Sequence, residues 1–347
     1  MATKSMDTSE EINGVEPSLP FISPRHLRWD AETKGWRHGS VAVVVQQLVV
    51  EDATGIAQRW ATLGRAGAVS SVLGTTTMLS ERRGDSDKGP STEGEDMSVA
   101  PVSRICLVVE QAPLGSLHDV LRRSPQLSLR TIHSILQQVA VGMQAIAALG
   151  FVHGNLSTHT VGVVALTGVD DAQPRVTISG LPCMLATATG SRCRCRAALV
   201  AVSGGAEGDG RQQAGAEQAF LPVQASPRTT AIECLENLDS CSRVSERADV
   251  WSFGVLAWEL LASGAQPYAE LRTDEAVHAY VRQGGRLARP GHECTDILWS
   301  LIASCWETDV DARPRFAQLA IHLPTAAITE QVCIRASVGA WSLCLGP

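Results

Sequence analysis

Ser245-Glu246-Arg247-Ala248-Asp249-Val250-Trp251-Ser252-Phe253-Gly254-Val255-Leu256-Ala257-Trp258-Glu259-Leu260-Leu261-Ala262-Ser263-Gly264 is the stretch from which the fold is read. Ser245 suits the N-cap of a helix, Glu246 suits its positive end, and Gly264 supplies the stop. Between them apolar side chains point in every direction, so no stripe is left for water. A helix apolar all round is buried inside a large domain. It is too short for a membrane span, and Asp249 and Glu259 lie too near its ends. A carboxylate beside a buried helix must be paired or must accept several hydrogen bonds. Asp249 is therefore expected to be tied to another part of the chain.

Around this pillar lie 347 residues, enough for one large domain or two lobes. Apolar residues make up 44% and charged ones 19%, as in an ordinary soluble globular protein. A formal charge of −7 argues against nucleic acid as a main partner, because phosphate binding wants a basic face. The ten cysteines are scattered and read as reduced thiols, not as a disulfide framework. Met1 to Pro20 has neither an apolar run nor a basic leader, and Leu345-Gly346-Pro347 after Cys344 makes a poor prenylation signal. A cytoplasmic protein is expected, with no membrane partner and with the nucleus left open.

Met1 to Ile22 reads as a disordered tail. Gly35 to Ser40 reads as a turn running into a buried strand at Val41–Val45, with Leu48–Val50 beyond it. Glu51–Arg65 suits a helix and Ala68–Gly74 another strand, while Ser80–Ala100 is an aperiodic, charged insert. A further strand at Ile105–Glu110 leads through a connector to Ser116, which opens a helix with Leu117, Val120 and Leu121 on one face. Ile132, Ile135, Leu136, Val139, Met143 and Ile146 follow helical spacing between Ser128 and Leu149. Short strands follow at Val161–Val164 and Val176–Ile178, then an unpatterned Cys183–Pro227 loop. Helices are expected at Asp274–Gln283, Asp296–Glu307 and Phe316–Leu323. Strands come first and helices later, which predicts an α+β protein with a small sheet lobe on a larger helical lobe.

Taken in order, these pieces resemble a protein kinase domain of the tyrosine-kinase-like branch. The likeness is most specific at Asp249–Leu260, at Pro267-Tyr268, and at Cys305-Trp306 followed by Asp311-Ala312-Arg313-Pro314. Ile105–Leu121 resembles the family's last N-lobe strand, hinge and following helix. The resemblance implies a two-lobed domain over 23–323, with an N-lobe at 23–111 and a C-lobe at 112–323. Inserts would fall at about 80–100 and 183–227, with tails at 1–22 and 324–347. It also implies structural roles. Asp249 would accept hydrogen bonds from the catalytic-loop backbone, His153 would be a packing residue, and Glu233 of Ala231-Ile232-Glu233 would pair with buried Arg313.

Phosphoryl transfer asks a protein mainly for positioning and charge neutralisation. The family supplies a glycine-rich loop, a strand lysine paired to a helix glutamate, an H-R-D-x-x-x-x-N loop and a D-F-G. In this chain Val41-Ala42-Val43-Val44 resembles V-A-I-K with Val44 in place of the lysine, and the helix glutamate would fall near Ala57 or Gln58. Gly35 and Gly39 read as an ordinary turn. In His153-Gly154-Asn155-Leu156-Ser157-Thr158-His159-Thr160 the base position is Asn155, which accepts no proton at neutral pH, and Thr160 replaces the metal-ligand asparagine. His159 reads as a surface loop residue. Ser179, or Gly180 under a shifted alignment, stands where the metal-binding aspartate belongs.

The resemblance therefore implies a degenerate member, a pseudokinase acting as a scaffold or allosteric partner of other proteins, active kinases among them. No cofactor is expected. The nucleotide-pocket remnant consists of Ala42, Glu110 and Ala112, but Gly162 replaces the bulky residue that floors the adenine. The alternative is a divergent ATP- and Mg-dependent kinase that recruits Lys34, Glu51 or Asp171 as substitutes. Arg192-Cys193-Arg194-Cys195-Arg196 has C-x-C spacing without a second pair nearby and reads as a basic loop tip, not a metal site.

Overall fold

The computed structural model describes residues 19–323 apart from 31, 33, 34, 48–52, 68, 81–101, 125, 167–172, 180–225, 236–244 and 292–293. Its first half is a five-stranded antiparallel sheet crossed by one helix. The strands are β1 (Leu27–Asp30), β2 (Gly35–His38), β3 (Val41–Gln47), β4 (Val72–Ser80) and β5 (Val102–Glu110), in the order β1-β2-β3-β5-β4. Helix α1 (Ala53–Arg65) connects β3 to β4.

The second half is mainly helical. Helices α2 (Leu117–Arg123) and α3 (Leu129–Ala148) lead to a hairpin of β6 (Val161–Ala165) and β7 (Arg175–Ile178). Then come α4 (Ile232–Leu235), α5 (Glu246–Leu261), α6 (Asp274–Arg282), α7 (Asp296–Ser304) and a last helix, α8, over 316–323. The protein is a two-lobed α+β fold.

Capping sets many of the helix starts. Ser116, Ser128, Ser245, Thr273 and Thr295 each accept a backbone N–H three residues on. At α2 the bond is reciprocated, because Asp119 accepts the Ser116 N–H at 3.2 Å. Gly264 ends α5 at φ +80°, and its N–H returns to the Glu259 carbonyl at 2.8 Å.

Helix α5 is buried on every face between Ala248 and Ala257. Each large apolar side chain it removes from water, such as Phe253 or Leu256, contributes about 1.5–3 kcal/mol. Its packing is tight enough that a Cβ on Gly254 would lie 2.7 Å from the Trp306 indole nitrogen. The core around α5 continues without a break through α3, β6 and β7 into α1 and the inner face of the sheet. A second, smaller cluster of Ile22, Leu27, Val43, Val45, Cys106 and Val108 fills the outer face.

Several expectations need correction. Residues 19–22 are not tail, whereas residues 1–18 lie outside the described residues. Ile22 donates its N–H to the Thr75 carbonyl at 2.7 Å, and Thr75 donates to the Pro20 carbonyl at 3.0 Å, so this segment lies along β4. Gly74 makes the approach possible, because a Cβ there would come within 2.3 Å of the Pro20 carbonyl oxygen. Gly35–His38 is a strand; only Gly39 and Ser40 turn. Cross-strand contacts invisible to local turn chemistry hold it: Trp29 against Trp36 at 5.6 Å, and Arg37 bonded to Asp30 at 2.8 Å.

The strand expected at 68–74 instead spans Val72–Ser80, because the β-branched run Thr75-Thr76-Thr77 pairs with β5. Strand β5 begins at Val102, three residues before the periodicity starts at Ile105. Apart from Ser80, Ser226 and Pro227, the two expected inserts fall outside the described residues, as do Leu48–Val50 and the C-terminal tail.

Candidate functional site

The loop Phe151–Thr160 joins α3 to β6 and lies over the start of α5. Asp249, buried in the first turn of α5, reaches up to it. Its Oδ2 accepts the His153 N–H at 2.6 Å and its Oδ1 accepts the Gly154 N–H at 2.7 Å. Burial pushes this carboxyl up to about 7, against the two N–H donors that favour its charge. Gly154 takes φ +72°, which a residue with a Cβ rarely adopts.

His153 is wholly buried and its pKa is pushed down to about 4 by burial, so the ring is neutral at physiological pH. Nδ1 accepts the Asn155 N–H at 3.3 Å, which puts the ring proton on Nε2, 3.3 Å from the Ser179 carbonyl. The ring therefore joins the loop to the end of β7.

Asn155 is half-buried, and its side-chain amide has no hydrogen-bond partner among the described residues. Its carbonyl accepts the Thr160 hydroxyl at 3.0 Å. That hydroxyl also lies 3.1 Å from the Ser157 carbonyl and accepts the Ser157 N–H at 2.9 Å. Ser179 turns the same way, its hydroxyl donating to the Thr160 carbonyl at 3.1 Å and its N–H to the same oxygen at 2.7 Å. The hydroxyl protons of Thr160 and Ser179 are thus donated to the loop's own backbone.

The roof of the cleft is the inner face of the sheet. Val44 stands opposite Val109, and Ala42 stands opposite Arg37. Sequence reasoning missed Arg37. It shares the face of Ala42 and Val44, with its guanidinium bonded to Asp30 and to the Ser40 carbonyl at 3.0 Å. Only the strand register reveals this placement. Ala57 of α1 is fully buried with Trp60 and Leu63, in one core with Leu107 and Val109. At Ala57, where the resemblance would put the helix glutamate, the packing is apolar.

Along the hinge, Gln111 donates to the Ala42 carbonyl at 3.0 Å, and the exposed Glu110 donates its N–H to the Ser71 carbonyl at 2.8 Å. Ala112 sits directly over the floor, since a Cβ on Gly162 would be 2.7 Å from the Ala112 Cβ. The possible substitutes Lys34, Glu51 and Asp170-Asp171 lie outside the described residues, as does Arg192–Arg196.

Two more features flank the loop. Thr158 donates its hydroxyl to Glu259 across 101 residues at 3.2 Å, and burial pushes that carboxyl up to about 7. His159 is exposed and its ring stacks on His118 with centroids 3.9 Å apart. Deeper in the helical lobe, Arg313 grips Glu233 with both ends of its fork, at 2.8 and 2.9 Å. It also donates to the Glu307 carbonyl at 2.8 Å and lies over the Trp251 ring at 5.0 Å. Among the described residues, no group of three or more His, Cys, Asp or Glu side chains is placed to hold a metal ion, and no helix is long and apolar enough to cross a membrane.

The family model for protein tyrosine and serine/threonine kinases matches residues 97–180 and 212–323, more than half of the chain. The chain belongs to this kinase family. The kinase-family chain is 31% identical to the Drosophila melanogaster protein sevenless over 223 residues, 61% of this chain and 8% of that protein. It is 29% identical to mouse ephrin type-A receptor 10 over 217 residues, 62% of this chain and 18% of that one. Over 82 residues, 24% of this chain, it is 46% identical to the tyrosine-protein kinase Drl of Drosophila melanogaster, of which it covers 13%. The chain therefore spans less than a fifth of each of these relatives.

Proposed function

We propose that this kinase-family chain is a pseudokinase, a domain that keeps the fold's scaffold and works by binding other proteins, active kinases among them, in the cytoplasm. The observation that carries the reading is that uncharged hydroxyls, held by the loop backbone, stand where the resemblance puts the metal-binding side chains. Mg²⁺ in such a cleft asks for one or two carboxylates beside the phosphate oxygens. The corresponding positions, Thr160 and Ser179, hold uncharged hydroxyls already bonded to backbone. The residues present do not fit Mg-ATP.

Val44 brings no cation, and Asn155 at the base position cannot take a proton. One such loss can be covered by a neighbour. Losing the cation, the base and both metal-binding side chains together removes the electrostatic stabilisation on which phosphoryl transfer depends. The scaffold, in contrast, is fully equipped, with Asp249 on the loop and Arg313 on Glu233. Its acidic character and apolar-helix core suit protein partners better than nucleic acid or membrane.

The deciding experiment gives the purified chain Mg-ATP, a generic tyrosine and a generic serine/threonine substrate, and a thermal-shift titration with ATP. We expect no phosphotransfer and no rise in melting temperature up to millimolar nucleotide, where a site with Kd a hundredfold lower would stabilise by about 2.7 kcal/mol. Transfer that disappears in Asn155→Ala or Ser179→Ala would establish the divergent active kinase instead.

A further inference from the structure

A five-stranded sheet has two edges, and this one treats them differently. The β4 edge is covered by the chain itself through the Pro20 and Ile22 bonds to Thr75. The β1 edge, Leu27–Asp30, has no strand against it among the described residues.

On the outer face beside that edge, Trp29 is 37% exposed and meets half-buried Trp36 edge-to-face at 5.6 Å. Val41, 36% exposed, continues the apolar surface on β3. On the inner face Arg28 stands directly opposite Arg37. Like charges facing each other across a strand pair are destabilising. Asp30 bonds the Arg37 guanidinium at 2.8 Å. Arg28 and the nearby exposed Arg25 have no ion-pair partner among the described residues. In a chain of net charge −7, the open strand β1 thus carries Arg28 and Trp29, with Arg25 just ahead of it and Trp36 beside it on β2.

We propose that the β1 edge is a docking strip for an extended acidic segment of a partner protein, added to the sheet as a further strand. Main-chain hydrogen bonds would supply attachment and side-chain alternation the selectivity. The segment residue opposite Trp29 is apolar and lies on the tryptophan face. The one opposite Arg28 is acidic and lies on the arginine face. Trp and Arg are also the residue types that carry most interface energy. A four-residue strand engages only a short stretch, so recognition is weak and salt-sensitive.

This inference rests on the protein-binding reading above, and the two can fail separately. Phosphotransfer by the chain would sink that reading and leave the strip untouched. The test is fluorescence anisotropy of the full chain with a labelled Glu-Val-Glu-Phe-Glu-Val-Glu peptide, its Lys-for-Glu counterpart, and an acidic copy N-methylated at alternate amides. We expect saturable binding of the acidic peptide, about tenfold weaker for the other two. Trp29→Ala and Arg28→Glu should each weaken it by about tenfold, with Arg28→Glu shifting preference to the basic peptide and both variants still melting in one cooperative transition. Equal binding of acidic and basic peptides, no binding of either, or indifference to both substitutions overturns the proposal. So does sedimentation showing a dimer that Trp29→Ala dissolves, which reassigns the edge to a second copy of this chain.

Discussion

Arg313 offers the sharpest test of the scaffold. Its guanidinium is completely buried, and Glu233 beside it is 11% exposed. The fork spends one arm on each carboxylate oxygen, and further N–H groups satisfy the Glu307 and Arg247 carbonyls. Removing the cation alone strands a nearly buried carboxylate, which costs roughly 3–5 kcal/mol. For a domain of this size each kcal/mol moves the melting temperature by about 2–4 °C, so Arg313→Ala should lower it by roughly 6–20 °C. Arg313→Lys keeps the charge but loses the fork, and should fall between.

Glu233→Gln should cost less than Arg313→Ala, because a neutral amide still accepts one N–H. The double variant Glu233→Gln/Arg313→Ala should recover part of the loss, since removing both charges is tolerated where a lone buried charge is not. Calorimetry or a thermal-shift assay on the four proteins closes the cycle. If the single variants melt within about 1 °C of the parent, or the double variant loses the full sum, the pair does not anchor this lobe.

The buried acids set a pH response. The folded pKa values of Asp249 and Glu259 are raised from 3.8 and 4.5 to about 7, so their charged forms are penalised in the native state, fully above pH 7. His153 works the other way, lowered from 6.5 to about 4, and costs stability only as pH falls below 6.5. The melting temperature should therefore rise from pH 8 to about 6.5 and keep rising toward about pH 5, because two acids outweigh the one histidine, with Glu259→Gln removing part of the rise. A steady fall over the first interval would contradict the assignment. Gly254→Ala should cost about 1–3 kcal/mol by overpacking, because its Cβ would press on Trp306 Nε1 at 2.7 Å and disturb the indole's bond to the Trp251 carbonyl. Loss of near-ultraviolet circular dichroism from the tryptophans reports it.

What the residues determined alone was whatever depends on near neighbours along the chain. The all-round apolar pattern of α5, the Ser245 and Ser116 helix starts, and the 3.6-residue spacing of α3 are interactions within about one turn, and they are written in order. Charge type was legible too: a valine, an asparagine, a threonine and a serine are uncharged wherever the fold puts them. The tertiary structure alone decided which distant groups meet. Arg37 came beside Ala42 through strand register, the segment ahead of Leu27 found Gly74 on β4, and Glu259 found Thr158. The hydroxyls of Thr160 and Ser179 were committed to the loop only once its carbonyls were in place. A hydrogen bond spanning 101 residues leaves no periodic trace in sequence, because its energy depends on a geometry that exists only after the core has closed.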